Sequence, residues 1–280
     1  MKPRFFCVTH RWLEDTNAAL AAACARRGIE FIAVVSDEFV LDARRAPRRG
    51  DLLYRAAAGL IGDRIEKQLW GPGVAGFYET PFFECASQSI WLPRNGIPMP
   101  RTVHTLPKDR VKLDRLVRSL GGFPVVVKVP GGEGGQGVIR VDSLPALFSL
   151  LDYAPASAEM MEFFDHVVAY RLVVLGKRVI AAEARHPGAF DFRSNAAGGG
   201  LIGRIRAPKR LTSIVLAAAR VLRLEFGGAD LLEDSRGRVR LAEFNFPCYF
   251  ADQQRDSGID IAGAMVDYLL AKTRRRAARG

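Results

Sequence analysis

The stretch VVVKVPGGEGGQGV, residues Val125–Val138, decides the fold, because it joins an apolar β-like run to a glycine-rich loop. Lys128 ends the apolar run, and a lysine there is costly unless an anion or a carboxylate meets it. Glycines leave the backbone N–H groups of the loop unobstructed, so such a loop can close over phosphates. The lysine precedes the glycines, which distinguishes the stretch from a Walker loop. Taken alone, the stretch is equally well explained by an exposed lysine beside a flexible hairpin.

A second group of polar residues lies towards the end of the chain. Asp230 lies in the run GGADLL, and Glu243 and Asn245 lie in LAEFNFP. A spacing of two on a strand places Glu243 and Asn245 on the same face. Asp230 lies on a preceding strand that could pair with theirs. Three oxygen ligands from two strands suit Mg²⁺ or Mn²⁺, and phosphates and waters would complete the coordination. The alternative is two solvent-facing acids on a half-exposed sheet.

A third motif is DFRSN, residues Asp191–Asn195, followed by Gly198–Gly200. Arg193 joins Arg171 and Arg185 as a candidate anion binder, because the guanidinium fork can clamp a carboxylate or a phosphate through two hydrogen bonds. Any single arginine in so basic a chain can equally be a surface charge. The four histidines show no metal-ligand spacing, and no nucleophile–base arrangement is evident.

Composition limits the class of protein. The chain has 280 residues, of which 49% are hydrophobic and 25% charged, which is ordinary globular usage. The sequence has no apolar stretch long enough to span a bilayer, and the N-terminus is interpreted as a first strand and not as a signal peptide. The four cysteines are scattered, with no C-x-x-C pair, which favours a reducing cytoplasm over a disulfide framework or a zinc site.

The formal net charge of +11 favours acidic partners, such as nucleotides and polyanionic substrates. Part of the excess comes from the run of arginines at 274–276 and 279, which we interpret as a solvated tail. Nucleic-acid binding is the weakest alternative, because it rests on charge alone and no recognisable module or aromatic-basic motif accompanies it.

Hydrophobic periodicity predicts an α/β fold with a β-α-β opening and a boundary at the turn Asn95–Pro100. The predicted strands are Arg4–Thr9, Phe31–Val35, Asp51–Arg55, Arg101–Thr105, Val125–Val129, Val138–Val141, Val168–Leu175, Arg178–Arg185, Ala229–Glu233 and Val239–Phe244. The predicted helices are Asn17–Arg27, Leu60–Trp70, Glu84–Arg94, Asp109–Leu120, Leu144–Tyr153, Ser213–Leu224 and Ile259–Lys272. Gly176 and Lys177 have the composition of a tight hairpin.

The motifs, taken in order, resemble the ATP-grasp superfamily over roughly Asn95 to Lys272, and within it the RimK-like family, which includes ribosomal-protein glutamate ligase. The resemblance is carried by VVK with its glycine-rich loop, by DFRSN before a glycine run, by GADLL and EFN, and by the closing SGIDIAG, residues Ser257–Gly263. The last string and DFRSN are specific, and chance is a poor explanation for the whole set.

The resemblance implies an ATP-grasp fold of α+β lobes, with ATP held between a central and a C-terminal lobe. We expect a short N-terminal α/β lobe in residues 1–95, a central lobe with a glycine-rich lid in 96–162, a C-terminal lobe with the metal site in 163–273, and a basic tail in 274–280. Dimers and tetramers are common in the family, so the resemblance is compatible with a homo-oligomer.

The resemblance also implies roles for individual residues. Lys128 would contact the ATP phosphates, and the metal ligands would be Asp230, Glu243 and Asn245. The other implied nucleotide contacts are the lid residues Gly131, Gly132, Gly134, Gly135, Gln136 and Gly137, and the adenine hinge residues Glu159, Met160, Met161 and Glu162. Arg171, Arg193 and Asn195 match family positions near the phosphates and the acyl-phosphate. The substrate would contact Arg185 and Arg193.

Three departures from the family pattern bear on function. An upstream nucleotide-contacting lysine is missing from the region Glu84–Ala86. Ala169 stands where the family often has an acid that contacts ribose. The bulky loop Phe246–Phe250 replaces a small, glycine-containing one and indicates a substrate pocket unlike that of the glutamate ligases.

The function implied is an ADP-forming carboxylate–amine ligase that uses ATP and Mg²⁺ or Mn²⁺ and acts through an acyl-phosphate. The family implies several substrate pairs: glutamate added to a peptide or protein tail, glutamate added to a cofactor such as a pterin or deazaflavin, or a modified peptide closed into a macrocycle. The basic surface favours an acidic acceptor. Two alternatives stay open: a kinase on the same scaffold, and a nucleotide-binding protein that has lost turnover. The missing lysine and Ala169 support the second alternative.

Overall fold

The structure, a computed structural model, describes residues 2–40, 42, 46–79, 88–129, 135–155, 157–188, 191–194 and 202–278. The strands are β1 (Arg4–Thr9), β2 (Glu30–Val35), β3 (Leu52–Arg55), β4 (Thr102–Val103), β5 (Val125–Lys128), β6 (Val138–Val141), β7 (Glu159–Glu162), β8 (Val168–Leu175), β9 (Arg178–Arg185), β10 (Ile202–Arg204), β11 (Phe226–Glu233) and β12 (Val239–Asn245). The helices are α1 (Glu14–Ala25), α2 (Gly59–Leu69), α3 (Gln88–Arg94), α4 (Arg110–Ser119), α5 (Leu144–Tyr153), α6 (Lys209–Val221), α7 (Ala251–Ser257) and α8 (Ile261–Ala277).

The N-terminal sheet has three parallel strands in the order β2-β1-β3. β1 is its middle strand, and its run FFCVT is buried on both faces, as the near-continuous apolar sequence requires. The β-α-β opening predicted from the sequence is therefore confirmed. Helix α1 begins at Glu14, three residues before the predicted start, because the acidic residues Glu14 and Asp15 suit the first turn of a helix.

The central sheet has four strands in the order β4-β7-β5-β6, with antiparallel pairing throughout. β5 and β6 form the predicted strand pair on either side of the glycine-rich loop, and Lys128 pairs with Val138 where the loop closes. Gly137 has a φ of +75°, and a Cβ there would lie 2.6 Å from the carbonyl oxygen of Val129. Only glycine fits this corner without strain.

A separate hydrophobic core lies between the central sheet and helices α4 and α5. Its buried members come from these elements and from the segment before β7: Leu113, Val117, Leu120, Val125, Val127, Val141, Leu147, Ala158 and Met160. Within the described ranges this core shares no buried residue with the larger core below. The central sheet is therefore packed as a unit of its own.

The C-terminal sheet has five antiparallel strands in the order β10-β9-β8-β11-β12. β8 and β9 match the predicted bounds and are joined by the predicted tight turn, in which Gly176 has a φ of +61°. Sequence periodicity missed β7, β10 and α7, because elements of four, three and seven residues are too short for a period to emerge.

The N-terminal and C-terminal sheets share one hydrophobic core. Phe77 and Phe226 meet there with ring centroids 5.0 Å apart. The buried Lys272 of α8 fixes the join, because its Nζ donates to the carbonyl oxygens of Gly76 and Tyr78 at 3.0 Å each and to Glu225 Oε2 at 2.6 Å. These two sheets form one packed body.

The basic end of the chain is helical, and Arg274 and Arg275 are exposed there. Helix α8 continues to Ala277, so Arg274, Arg275 and Arg276 are helical. Arg276 donates to the carbonyl oxygen of Val74 at 2.9 Å and forms an ion pair with Glu79. Basic residues suit the last turn of a helix because the exposed carbonyl groups there carry partial negative charge.

Across the described ranges, none of the helices has the length and apolar character needed to cross a membrane.

Candidate active site

A row of charged side chains crosses the C-terminal sheet. Strand register places Glu183 of β9 opposite Arg171 of β8, Arg171 opposite Asp230 of β11, and Asp230 opposite Glu243 of β12. Directly paired residues of antiparallel strands project from the same face. The four side chains therefore stand side by side on one face, in the charge order minus, plus, minus, minus. Their exposed fraction rises along the row, from 2% at Glu183 to 41% at Glu243.

Arg171 occupies the middle of this row. Its Nη1 donates to Asp230 Oδ2 at 2.6 Å, and its Nη2 donates to Cys248 Sγ at 3.5 Å. Gly228 makes room for the guanidinium, because a Cβ at that position would lie 2.5 Å from Arg171 Cζ. The glycine before Ala229 in the run GGADLL is thus explained by close approach of a side chain.

The three residues predicted as metal ligands converge. Asn245 Nδ2 donates to Asp230 Oδ2 at 3.0 Å and to Glu243 Oε1 at 2.7 Å. The amide thus holds both carboxylates at one point, and rotation of the amide would present its oxygen there instead. Two carboxylates and an amide oxygen are a donor set that suits Mg²⁺, which keeps waters and phosphate oxygens as its remaining ligands. Among the described residues, no group of three or more His, Cys, Asp or Glu side chains is arranged to hold a metal ion.

The two carboxylates differ in their readiness to ionise. Burial raises the pKa of Asp230 to about 6. The positive charge of Arg171 opposes this increase, and the carboxylate of Glu243 adds to it. Partial desolvation by the neighbouring protein also acts to raise the pKa of Glu243, but the Lys128 ammonium and the Asn245 amide outweigh it and hold that pKa below its usual value. A cation placed between the two would favour the ionised form of both.

Lys128 reaches this site from the central sheet. It is the last residue of β5, and its Nζ lies 3.9 Å from Glu243 Oε2 of the C-terminal sheet. The exposed fractions of the two side chains are 29% and 41%, so both border a cleft that solvent reaches. The cost of a lysine at the end of an apolar strand is thus offset by a carboxylate across that cleft.

Arg193 makes a second contact between the two bodies. Its Nη1 donates to the carbonyl oxygen of Gly135 in the glycine-rich loop at 2.9 Å, while its Nε and Nη2 bind the carboxylate of Asp191. Gly135, Gln136 and Gly137 form the turn that enters β6. The other predicted contacts in these two segments, Gly131, Gly132, Gly134 and Asn195, lie outside the described residues.

The predicted adenine hinge is strand β7, which pairs with β5 so that Glu159 lies opposite Lys128. Met160 is fully buried in the core of the central sheet, and Met161 is 9% exposed. Glu159 Oε1 lies 2.9 Å from His104 Nδ1, and Glu162 accepts from the backbone and side chain of Arg101. The side chains of this strand are thus engaged within the protein, and its backbone pairs with β4 on one side and with β5 on the other.

Arg185 lies two residues after Glu183 on the same face of β9. Its Nη2 donates to Glu183 Oε2 at 3.2 Å, and burial raises the pKa of Glu183 although the charge of Arg185 opposes this. Sequence reasoning selected Arg185 but missed Glu183, Gln253 and Cys248. Gln253 Nε2 donates to the backbone carbonyl oxygen of Arg171 at 3.4 Å. An acid between alanines in the apolar run VIAAEAR was the signal for Glu183, whereas α7 and the preceding loop carry none for the other two.

Comparison with known proteins identifies the family. A family model described as the RimK-like ATP-grasp domain matches residues 86–269. A probable alpha-L-glutamate ligase of Shewanella loihica (strain ATCC BAA-1088 / PV-4) is 30% identical over 244 residues, which are 81% of this chain and 79% of that protein. Probable alpha-L-glutamate ligase 2 of Pseudoalteromonas atlantica (strain T6c / ATCC BAA-1087) is 30% identical over 184 residues, 64% of this chain but only 60% of that protein's length.

Solved structures agree on the fold. The ATP-grasp ligase PsnB complexed with a minimal precursor superposes with a TM-score of 0.73 at 18% identity, over 97% of this chain and 99% of that one. The D-cycloserine synthetase DcsG gives 0.72 at 15% identity, over 96% and 99%. The predicted α+β ATP-grasp fold and the predicted resemblance are therefore confirmed, and the chain belongs to the RimK-like ATP-grasp family.

Proposed function

We propose that this chain is an ADP-forming, ATP-dependent ligase that joins a carboxylate to an amine through an acyl-phosphate. The proposal is carried by the approach of Lys128 Nζ to within 3.9 Å of Glu243 Oε2, which brings residues of two sheets to one cleft. Phosphoryl transfer depends on positioning and on charge stabilisation. A lysine, an arginine and a group of oxygen ligands in one cleft supply both.

The nucleotide would lie between the central and C-terminal sheets. Lys128 would bind its phosphates, the glycine-rich loop would cover them, and the predicted hinge at β7 would meet adenine. Asp230, Glu243 and Asn245 would hold Mg²⁺ or Mn²⁺, which when bound neutralises charge on the phosphates. A solved structure of PsnB in complex with its minimal precursor, Mg and ADP has this fold, which supports the choice of nucleotide and metal.

The reaction would have two steps. An oxygen of the substrate carboxylate attacks the γ-phosphorus of ATP, the bond to the β–γ bridging oxygen breaks, and ADP leaves. The amine nitrogen then attacks the acyl carbon, the C–O bond to phosphate breaks, and the nitrogen loses a proton as the amide forms. Arg171 and Arg193 would stabilise the negative oxygen of the tetrahedral intermediate.

The substrate pair would include an amino acid such as glutamate and a peptide, protein or small molecule that is joined to it. Relatives named probable alpha-L-glutamate ligase support the first part. Structures of ATP-grasp ligases with precursor, leader and core peptides support the second. The net charge of +11 supports an acidic partner, because it raises the local concentration of anions.

The test is an ADP-release assay with purified protein, Mg-ATP, and pairs drawn from the amino acids and from short acidic peptides, with products identified by mass spectrometry. We expect ADP, phosphate and an amide in equal amounts. AMP as the nucleotide product would contradict the proposal. A stable phosphorylated product without an amide would indicate a kinase, and tight ATP binding without ADP release would indicate a protein that has lost turnover.

A further inference from the structure

The loop Phe246–Phe250, which departs from the family pattern, packs against the N-terminal sheet. The Tyr54 hydroxyl of β3 donates to the backbone carbonyl oxygen of Cys248 at 3.1 Å, and each of these two residues is 1% exposed. The rings of Tyr54 and Phe246 meet edge to face, with centroids 6.3 Å apart. The Arg55 guanidinium lies over the same Phe246 ring, 5.4 Å from its centroid. Two adjacent residues of β3 therefore hold the first half of the loop.

The same loop touches the proposed active site through the side chain of Cys248. Arg171 Nη2 donates to Cys248 Sγ at 3.5 Å, while Arg171 Nη1 donates to Asp230 Oδ2 at 2.6 Å. The thiol in turn donates to the carbonyl oxygen of Tyr249 at 3.5 Å. Burial raises the pKa of Cys248, although the charge of Arg171 opposes this, so the thiol is neutral and can both accept and donate. Cys248 therefore holds the end of the guanidinium that Asp230 does not.

Cys248 thus carries two contacts from opposite directions. Its carbonyl oxygen accepts from Tyr54 of the N-terminal sheet, and its thiol accepts from Arg171 of the C-terminal sheet. Burial raises the pKa of Tyr54 well above its usual value of 10, so the phenol keeps its proton and remains a donor. A hydrogen bond weakens steeply when its angle is lost. The Tyr54 hydroxyl therefore fixes the direction of the Cys248 carbonyl group, and with it the backbone from which the thiol projects.

We propose that Tyr54 and Cys248 are positioning residues for Arg171: the Tyr54 hydroxyl fixes the backbone of Cys248, and the Cys248 thiol fixes the guanidinium. This inference rests on the proposed ligase function, in which Arg171 stabilises the negative oxygen of the tetrahedral intermediate. A cation held in place stabilises developing charge without the cost of reorganising as the charge forms. The rival explanation is that the Tyr54 hydroxyl only satisfies a buried carbonyl oxygen and stabilises the shared core.

Tyr78 supplies a matched control for Tyr54. Its ring is also buried and also meets Phe246 edge to face, with centroids 5.9 Å apart. Its hydroxyl lies beside the buried carboxyl group of Glu66, and within the described ranges no hydrogen bond joins it to the loop. Tyr54→Phe and Tyr78→Phe therefore remove the same atom from two buried rings that contact one phenylalanine. Only the first removes a bond to Cys248.

The experiment compares kcat, the KM for ATP and the melting temperature across a set of variants. The variants are Tyr54→Phe, Tyr78→Phe, Cys248→Ala, Cys248→Ser, the double variant Tyr54→Phe/Cys248→Ala, and Glu30→Gln, which removes an exposed acid from the remote strand β2. The substrates are Mg-ATP with the amino acid and the short acidic peptide that give ADP and an amide in the assay above. Thermal melting reports any purely structural cost of each change.

We expect Tyr54→Phe to lower kcat about 3- to 10-fold, the effect of losing one hydrogen bond, with the KM for ATP within about twofold of native. Cys248→Ala should lower kcat about tenfold, and Cys248→Ser should restore most of it, because a hydroxyl also accepts from the guanidinium. The double variant should be no slower than Cys248→Ala alone, since the two residues act along one route. Tyr78→Phe and Glu30→Gln should keep the native kcat, even where Tyr78→Phe lowers the melting temperature.

Two results with an active native chain would overturn the inference. Equal kcat values for folded Tyr54→Phe and Tyr78→Phe would leave Tyr54 with a structural role only. Losses that multiply in the double variant would show that Tyr54 and Cys248 act independently. If Tyr54→Phe does not fold, equal kcat values for Cys248→Ala and Cys248→Ser would overturn it instead. A native chain that forms neither ADP nor an amide would remove the proposed function itself, which is a different result from these.

Discussion

Lys128 and Glu243 come from different sheets and from positions 115 residues apart in sequence, yet Lys128 Nζ lies 3.9 Å from Glu243 Oε2. The contact joins the glycine-rich loop to the predicted metal site. Had these side chains faced opposite sides of the molecule, the function inferred from the sequence would have had no structural basis. Their approach defines the cleft in which the predictions below are made.

Replacing Glu243 by alanine should abolish turnover and leave the fold intact. The carboxylate is 41% exposed, so its loss costs little stability, but it removes one of two acids that can hold a divalent metal. ADP release should fall at least about 100-fold, since charge stabilisation of the phosphates is lost. The control is Glu30→Gln, and undiminished ADP release in folded Glu243→Ala would refute the metal assignment.

Replacing Gly228 by alanine should displace the Arg171 guanidinium, because the added Cβ would lie 2.5 Å from Cζ. A displacement of about 1 Å in a positioned group costs about 100-fold in rate. Steady-state kinetics should show this loss in kcat. Gly203→Ala is the matched control, since a Cβ on that strand glycine has no atom of another residue within 4 Å. Equal activity of the two variants would contradict a role for Arg171 in the reaction.

Replacing Arg193 by lysine should weaken closure of the glycine-rich loop. Lysine keeps the charge but cannot bind Asp191 through two nitrogens and also reach the carbonyl oxygen of Gly135. We expect a higher KM for ATP and a lower kcat, each by about tenfold, as for the loss of one charge-assisted hydrogen bond. Arg178→Lys, at the first residue of β9, should behave as the native chain does.

Replacing Lys272 by methionine should destabilise the whole chain. The Lys272 side chain is 5% exposed, and its ammonium forms ion pairs with Glu225 and Glu79 and donates to two backbone carbonyl oxygens. Methionine would leave those carbonyl oxygens and the partly buried Glu225 without this donor. The free energy of unfolding should fall by about 3–5 kcal/mol, as when one partner of a buried ion pair is removed. Urea denaturation measures this change, and Lys112→Met on the exposed face of α4 should have a midpoint close to the native one.

Acidification should destabilise the protein through His166. Its Nδ1 donates to the carbonyl oxygen of Phe164, so Nε2 accepts from the Ser194 hydroxyl at 2.7 Å. Burial lowers the pKa of His166 below its usual value of 6.5, although the bond to Phe164 opposes this. The neutral ring is favoured in the folded state, so its contribution to stability is present above pH 6.5 and is lost as the pH falls through the lowered pKa.

The measurement is the urea midpoint at pH 7.5 and at pH 5.0. The native chain should lose more stability between these values than His166→Gln does. The exposed His186, whose Nδ1 contacts the carbonyl oxygen of Val167, supplies the control variant His186→Gln, which should follow the native pH dependence. An identical pH dependence in all three proteins would contradict this prediction.

Much of the fold could be predicted because its signals are local. The bounds of β1, β6, β8 and β9 follow from apolar runs that end at turn residues such as Gly176. The convergence of Asp230, Glu243 and Asn245 could also be predicted, since pairing of two strands was enough to bring them together.

Other features depend on tertiary contacts that no local pattern encodes. Glu183 joins the site only because β9 pairs with β8 in one register, and Gln253 only because α7 packs over that strand. The last turns of α8 are helical partly because Arg276 forms an ion pair with Glu79 and donates to the carbonyl oxygen of Val74. Both partners lie more than 190 residues earlier in the chain.

The separate core of the central sheet has a consequence for nucleotide exchange. Since its apolar residues are buried among themselves, this unit can tilt away from the rest of the molecule without exposing the shared core. The contacts described across the cleft are polar: the approach of Lys128 to Glu243 and the bond from Arg193 to Gly135. The resistance to opening is then largely electrostatic, and rising ionic strength should shift the equilibrium towards the open form and speed the release of ADP.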